Sequence, residues 1–170
     1  DLEPDVHVEE VASQEGAADP GEHGVGQRVV TEVLLLGGYV GAGEDRQTPG
    51  GIRARIADTV KVLKNCRQEA LDAGVKVAVE NHAGDMHSWE LRDLVEEAGT
   101  DFVGVNIDSG NAAWTLEDPM DVLRTLGKYT ICSSLRDDMI WETPEGASVQ
   151  WTAAGEGLMD WAKFADDWRG

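Results

Sequence analysis

Cysteine is scarce in this chain of 170 residues: Cys66 and Cys132 stand far apart, with no Cys-x-x-Cys pair. Two such cysteines exclude a disulfide framework and a zinc knuckle. Cys66 falls in a helical pattern and Cys132 in a strand pattern, as buried thiols do. Long apolar runs are missing as well. The longest stretch, from Val33 to Gly43, is short and rich in glycine, which excludes a membrane-spanning helix. No basic segment precedes an apolar one at the N-terminus, so no signal peptide is predicted and a soluble, cytoplasmic chain is expected. Bases are few: 14 Lys and Arg against 33 Asp and Glu leave a net charge of −19. Such a charge repels a nucleic-acid backbone or an anionic membrane, so neither is expected as a partner.

What is present divides the chain in two. Residues 1–27 are acidic and rich in Gly, Ala and Pro, and bury too little to offset ordering entropy. They read as a loose arm. From residue 28 to 170 the texture is that of one globular domain. Val29, Val30 and Val33 to Leu36 form a short apolar strand ended by Gly37-Gly38, followed by a Gly-rich loop through Gly51. Ile52 to Ala73 has helical spacing and stops at Gly74. Val75 to Val79 is a second strand. Ser88 reads as the cap of a helix that closes at Gly99. Phe102 to Ile107 is a third strand, and Pro119 opens a helix that stops at Gly127. Tyr129 to Leu135 is a fourth strand. A long loop with Trp141, Pro144 and Trp151 leads to a last helix from Met159 to Trp168.

Alternating strands and helices predict parallel βα units. The last three strands begin near Val75, Phe102 and Thr130, about 27 residues apart. A (β/α)8 barrel of ~250 residues uses about 31 per unit. The chain therefore reads as an α/β protein holding about four units, a partial barrel. Its helices should cover one face, and the opposite, inward face should expose Val and Leu.

Polar residues follow three of the strands: Glu80-Asn-His82, Asp108-Ser-Gly-Asn111 and Arg136-Asp137. In a parallel barrel these ends open on one mouth, where two carboxylates make a hard-oxygen site suited to Mg²⁺ or Mn²⁺. The blander alternative is that acids after strands cap the next helix.

Val-Glu80-Asn-His82-Ala-Gly84, Asn-Ile-Asp108-Ser-Gly-Asn111, Ser134-Leu-Arg136-Asp137 and Gly155-Glu-Gly157, in that order, resemble the sugar phosphate isomerase/epimerase family. The resemblance runs from about Glu32 to Trp168. It implies the xylose isomerase-like (β/α)8 TIM barrel, of which this chain would hold strands 4 to 7. It further implies a divalent-metal-dependent sugar or sugar phosphate isomerase or epimerase, working by carboxylate proton transfer through an enediolate. Glu80 resembles the family's metal-binding, proton-shuttling glutamate and Asp108 its second metal ligand. Arg136 resembles the catalytic Lys or Arg that faces substrate oxygens. His82, Asn111, Gln150 and Trp151 resemble substrate-binding positions. The resemblance implies Mn²⁺ or Mg²⁺, with Zn²⁺ or Co²⁺ as alternatives. Two departures stand out. Ser134 occupies the position of the family's ligand His, and the last ligand, a Glu on the final strand, has no counterpart here; Glu156 is the nearest candidate. A keto-inositol-type dehydratase of the same fold, or a degenerate, non-catalytic sugar-binding or interaction fragment, are the alternative readings. As partners we expect a small sugar or polyol, and self-association or a missing barrel half.

Overall fold

The computed structural model describes residues 33–36, 40 and 43–169, so the N-terminal arm lies outside it. Four strands, β1 (Val33–Leu36), β2 (Lys76–Glu80), β3 (Val103–Ile107) and β4 (Thr130–Ser133), form one sheet in the order β1-β2-β3-β4. All neighbours are parallel. The crossovers are made by α1 (Gly51–Ala73), α2 (Ser88–Ala98) and α3 (Pro119–Leu126), and α4 (Trp161–Arg169) follows α3. Successive helices pack side by side, α1 on α2, α2 on α3 and α3 on α4. Among the described residues this is the wall of a (β/α)8 barrel, with β1 and β4 as its edge strands.

Local chemistry sets the ends. α1 stops at Gly74, whose φ of 68° is a conformation that suits glycine, and the amides of Gly74 and Val75 return to the carbonyls of Leu71 and Ala70 at 3.1 and 2.9 Å. The cap of α2 is His87 rather than Ser88. His87 N–H donates to Glu90 at 2.8 Å and its ring accepts from the Glu90 amide, while Ser88 binds Glu117 through both its amide and its hydroxyl. Asp118 caps α3 by accepting from Met120 N–H at 2.7 Å, with Pro119 at the first helical position.

One face of the sheet carries the core. Val77, Val79, Val103, Val105 and Ile107 pack with Leu63, Leu91, Leu94, Leu123 and Leu126 from the helices. Alternation turns the intervening residues, Ala78, Glu80, Gly104 and Asn106, to the inward face. The expected row of exposed inward Val and Leu is thus not found on β2 and β3: these inward positions are small or polar. At Gly104 a Cβ would come within 2.8 Å of Ile131 Cγ2 and 2.9 Å of the Tyr129 carbonyl. Ile131 is the extra residue of a bulge, since Val105 faces Thr130 and Asn106 faces Cys132.

The segment after β4 corrects the expectation of a long loop. It is a hairpin, β5 (Asp137–Thr143) and β6 (Gly146–Thr152), antiparallel and packed on the 3-10 turn Gly110–Thr115. Past its first two residues β5 is exposed on both faces, so the apolar-polar alternation that marks a half-buried strand never develops. The last helix begins at Trp161 rather than Met159, capped by Asp160.

Asp137 ties this end of the molecule together. Its carboxylate accepts from the amides of Asp138, Gly155, Gly157 and Met159 at 2.9–3.1 Å and from the Trp161 indole at 2.8 Å. A Cβ at Gly157 would overlap that carboxylate. Burial alone would raise the Asp137 pKa, but these donors outweigh it and hold the acid below its ordinary range. Asp137→Ala leaves up to five N–H groups without their acceptor. We expect it to cost at least ~3 kcal/mol in urea unfolding, because each stranded buried donor costs ~1–3 kcal/mol. A loss below ~1 kcal/mol would show that the turn closes without the carboxylate.

Candidate functional site

Each strand end carries a pair of residues with divided tasks, and the pairs recur every 28 residues: Glu80-Asn81, Asp108-Ser109 and Arg136-Asp137. The second member fastens the neighbouring unit. Asn81 grips the backbone of Asp108, accepting from its N–H and donating to its carbonyl at 2.7 Å each. Ser109 does the same for Arg136, donating to its carbonyl at 2.6 Å and accepting from its amide at 3.2 Å. Asp137 holds the 155–161 turn, as described above.

The first members meet at the mouth. Asp108 is fully buried; one oxygen accepts from the amides of Gly110 and Asn111 at 2.9 and 3.3 Å. Its other oxygen is 2.6 Å from the Arg136 guanidinium. The arginine reaches it across Gly110, where a Cβ would overlap its Cγ. Glu80 is held by two amides: Asn111 donates to one oxygen at 2.9 Å and Asn106 to the other at 3.3 Å. The same Asn106 nitrogen donates to Ser134 Oγ at 2.9 Å, so Ser134 stands one amide away from Glu80. The Arg136 guanidinium also lies 4.9 Å from the centre of the Trp151 ring.

Burial raises the Asp108 pKa to about 6, with Arg136 opposing and Glu80 reinforcing the rise. Burial also lifts Asp138 to about 6, helped by Asp108 and Asp137. Asp85, fully buried in the turn after β2, rises to about 7 by burial. His82 is driven down from its ordinary value by desolvation, so it is neutral at pH 7.

Other sequence candidates are placed further out. Gln150 neighbours Trp151 on β6, so alternation turns it to the other side of the ribbon. Glu156 is exposed in the turn that wraps Asp137. A cavity of about 360 Å³ lies beside the mouth, between the hairpin and the start of α3. Five carboxylates line it, four of them already caps or hydrogen-bond acceptors: Glu117, Asp118, Asp137 and Asp160. For these four acids the role observed is structural: Asp118 and Asp160 cap helices, and Glu117 and Asp137 accept hydrogen bonds from neighbouring turns.

The donors suit a divalent cation in part. Glu80 and Asp108 present carboxylate oxygens at one sheet edge, where burial and mutual repulsion favour a positive charge between them. Among the described residues no three His, Cys, Asp or Glu side chains converge, and Ser134 supplies a hydroxyl where an imidazole would bind more tightly. A metal would share Asp108 with Arg136.

Sequence reasoning passed over Asn81, Ser109 and Asn106, the residues that hold the site rather than form it. Their signal was the 28-residue repeat and, for Asn106, an amide inside a strand of Val and Ile.

The pKa shifts set a pH dependence. Asp85, Asp108 and Asp138 titrate higher folded than unfolded, so their stabilisation is fully present below about pH 4 and is lost as pH rises through about 6 to 7. Asp137 has the opposite sign, and its contribution is lost below about pH 4. Urea midpoints should therefore rise from pH 8 to pH 5 and fall again below about pH 4, with Asp85→Asn flattening the first limb. A steady fall from pH 8 to pH 5 would contradict these assignments.

Comparison with known proteins adds the family. Residues 23–167 match the model of the xylose isomerase-like TIM barrel. The chain is 25% identical over 158 residues to the uncharacterized protein YihM of Escherichia coli, spanning 91% of this chain and 44% of that protein. The xylose isomerase domain protein from Planctomyces limnophilus superposes with a TM-score of 0.61 at 18% identity, over 79% of this chain and 47% of the other. A D-tagatose 3-epimerase-like protein superposes with a TM-score of 0.59, also at 18% identity, over 81% and 51%. The chain thus spans about half the length of the relatives it matches. Its matching model covers most of the chain, so the protein belongs to the xylose isomerase-like TIM barrel family.

Proposed function

We propose that this chain carries half of the active-site mouth of a sugar isomerase or epimerase. The observation that carries the reading is Glu80, a carboxylate whose two oxygens are each steadied by a side-chain amide, beside Asp108 and Arg136. Isomerisation and epimerisation both need a base aimed at a carbon next to a carbonyl, and a positive group near the oxygen that gains charge.

Glu80 takes the proton and returns it. Asn111 and Asn106 fix the direction of its lone pairs, so the carboxylate need not reorganise when the proton moves. Arg136, backed by buried Asp108, directs N–H groups toward the substrate oxygens. His82, driven down from its ordinary value by desolvation, is a neutral neighbour at pH 7 rather than a competing cation. A divalent metal held by Glu80 and Asp108 would polarise the carbonyl and its adjacent hydroxyl.

A second reading has its own observation. Ser134 and the commitment of Arg136 to Asp108 fit a sugar-binding fragment that has lost its chemistry. Proton exchange separates the two. With a ketose such as D-tagatose, Mn²⁺ and D₂O, the first reading predicts deuterium at the carbon next to the carbonyl. Glu80→Gln should slow this ~10²–10⁴-fold. Sugar binding without exchange above the Glu80→Gln level would leave the fragment reading.

Metal affinity is a separate expectation. Ser134→His places an imidazole beside Glu80, and calorimetry should then show Mn²⁺ binding at least ~10-fold tighter. The gain should vanish with Asp108→Asn. A gain that survives Asp108→Asn would place the metal elsewhere.

A further inference from the structure

The cavity between the hairpin and the start of α3 is lined by five carboxylates and, among the described residues, by no Lys, Arg or His. Four of the acids hold turns and helix ends. Asp138 does not. It is 7% exposed, and its buried Oδ1 meets no hydrogen-bond donor among the described residues. The donors of the adjoining turn and strand end go to Asp108 instead: the amides of Gly110 and Asn111 and the guanidinium of Arg136. Alternation along β5 turns the Asp138 side chain to the same face as Ile140, and the two line the cavity together. A buried carboxylate without a donor is costly, and here the cavity in front of it is the one place a donor can enter.

We propose that this cavity binds a short alkyl diammonium ion, at a site independent of the sugar reading above. One ammonium group supplies the donor that Asp138 lacks. The carbon chain lies on the apolar wall of Ala113, Met120, Ile140 and Met159. The second ammonium meets Asp118 and Asp160, which are exposed and so stand at the rim. Each of these caps its helix through Oδ1, which leaves Oδ2 for the ligand. Two features select an organic cation over a metal ion. Among the described residues no three acids, His or Cys converge closely enough to hold a metal. A bare ion would also leave the apolar wall unused. The volume of about 360 Å³ lies near the lower end of the ~300–1,000 Å³ found for small-molecule sites, which suits a chain of a few carbons. The net charge of −19 draws every cation toward the chain, so the specific claim rests on Asp138 and the apolar wall.

Calorimetry and methyl NMR on the full chain test this with 1,4-diaminobutane at fixed ionic strength. We expect saturable binding, with methyl shifts at Ala113, Met120, Ile140 and Met159. Butylammonium should bind about twofold to fivefold more weakly, because it loses the exposed second pair. Asp138→Asn keeps the shape of the side chain and removes its charge. It should weaken the diamine at least ~10-fold, with circular dichroism unchanged. If that variant folds poorly, the methyl map of the unaltered chain decides. Shifts at the four lining residues support the site, and shifts centred on Glu80, Asp108 and Arg136 overturn it, because the cation then sits at the strand-end mouth. Binding untouched by Asp138→Asn, with small shifts spread over the acidic surface, would mean general attraction to the net charge and would also overturn it. Mg²⁺ that occupies the cavity more tightly than the diamine would overturn the choice of ligand. Absence of saturable binding would overturn the site itself.

Discussion

A carboxylate taken fully out of water must find charge and hydrogen bonds, and Asp108 is the place where this chain meets that demand. Two amides of its own turn, the guanidinium of Arg136 and the grip of Asn81 on its backbone converge on one residue. Satisfying Asp108 orders the ends of β2 and β3 and brings in the segment after β4. The mouth is thereby assembled from three units far apart in sequence. The same demand fixes Gly110, since the arginine crosses the space a side chain there would fill.

The repeat of 28 residues gives this assembly its regularity. At each strand end one residue faces the mouth and the next fastens the neighbouring unit. Asn81 and Ser109 fasten backbone, and Asp137 fastens the turn of Gly155 and Gly157. The chemistry can then vary at the first position without loosening the frame. The clustering of acids has an electrostatic consequence as well: Asp85, Asp108 and Asp138 all titrate upward, so the mouth favours positive charge or protons.

Much of the fold was legible because parallel strands buried on one face leave plain marks. Val75 to Val79 and Phe102 to Ile107 are apolar runs ended by polar residues, and Gly74, Gly99 and Pro119 punctuate the helices between them. Glu80, Asp108, Asn111, Arg136 and Ser134 were singled out from the sequence, and the structure sets them side by side. The hairpin was not legible, since Met139, Ile140 and Trp141 are all partly exposed and no face alternates. Nor was the division between Trp151 and Gln150, which depends on which face of that ribbon meets Arg136. Asp137 looked like a site residue in one dimension. Only the return of Gly155, Gly157 and Trp161 reveals it as a structural anchor.

The most direct test of the site's location is a map of backbone amide shifts while D-tagatose is titrated into the ¹⁵N-labelled chain. The account predicts saturable shifts centred on Glu80 to His82, Asp108 to Asn111 and Ser134 to Arg136. Shifts confined instead to the acidic cavity between the hairpin and α3, with those three strand ends unmoved, would contradict it.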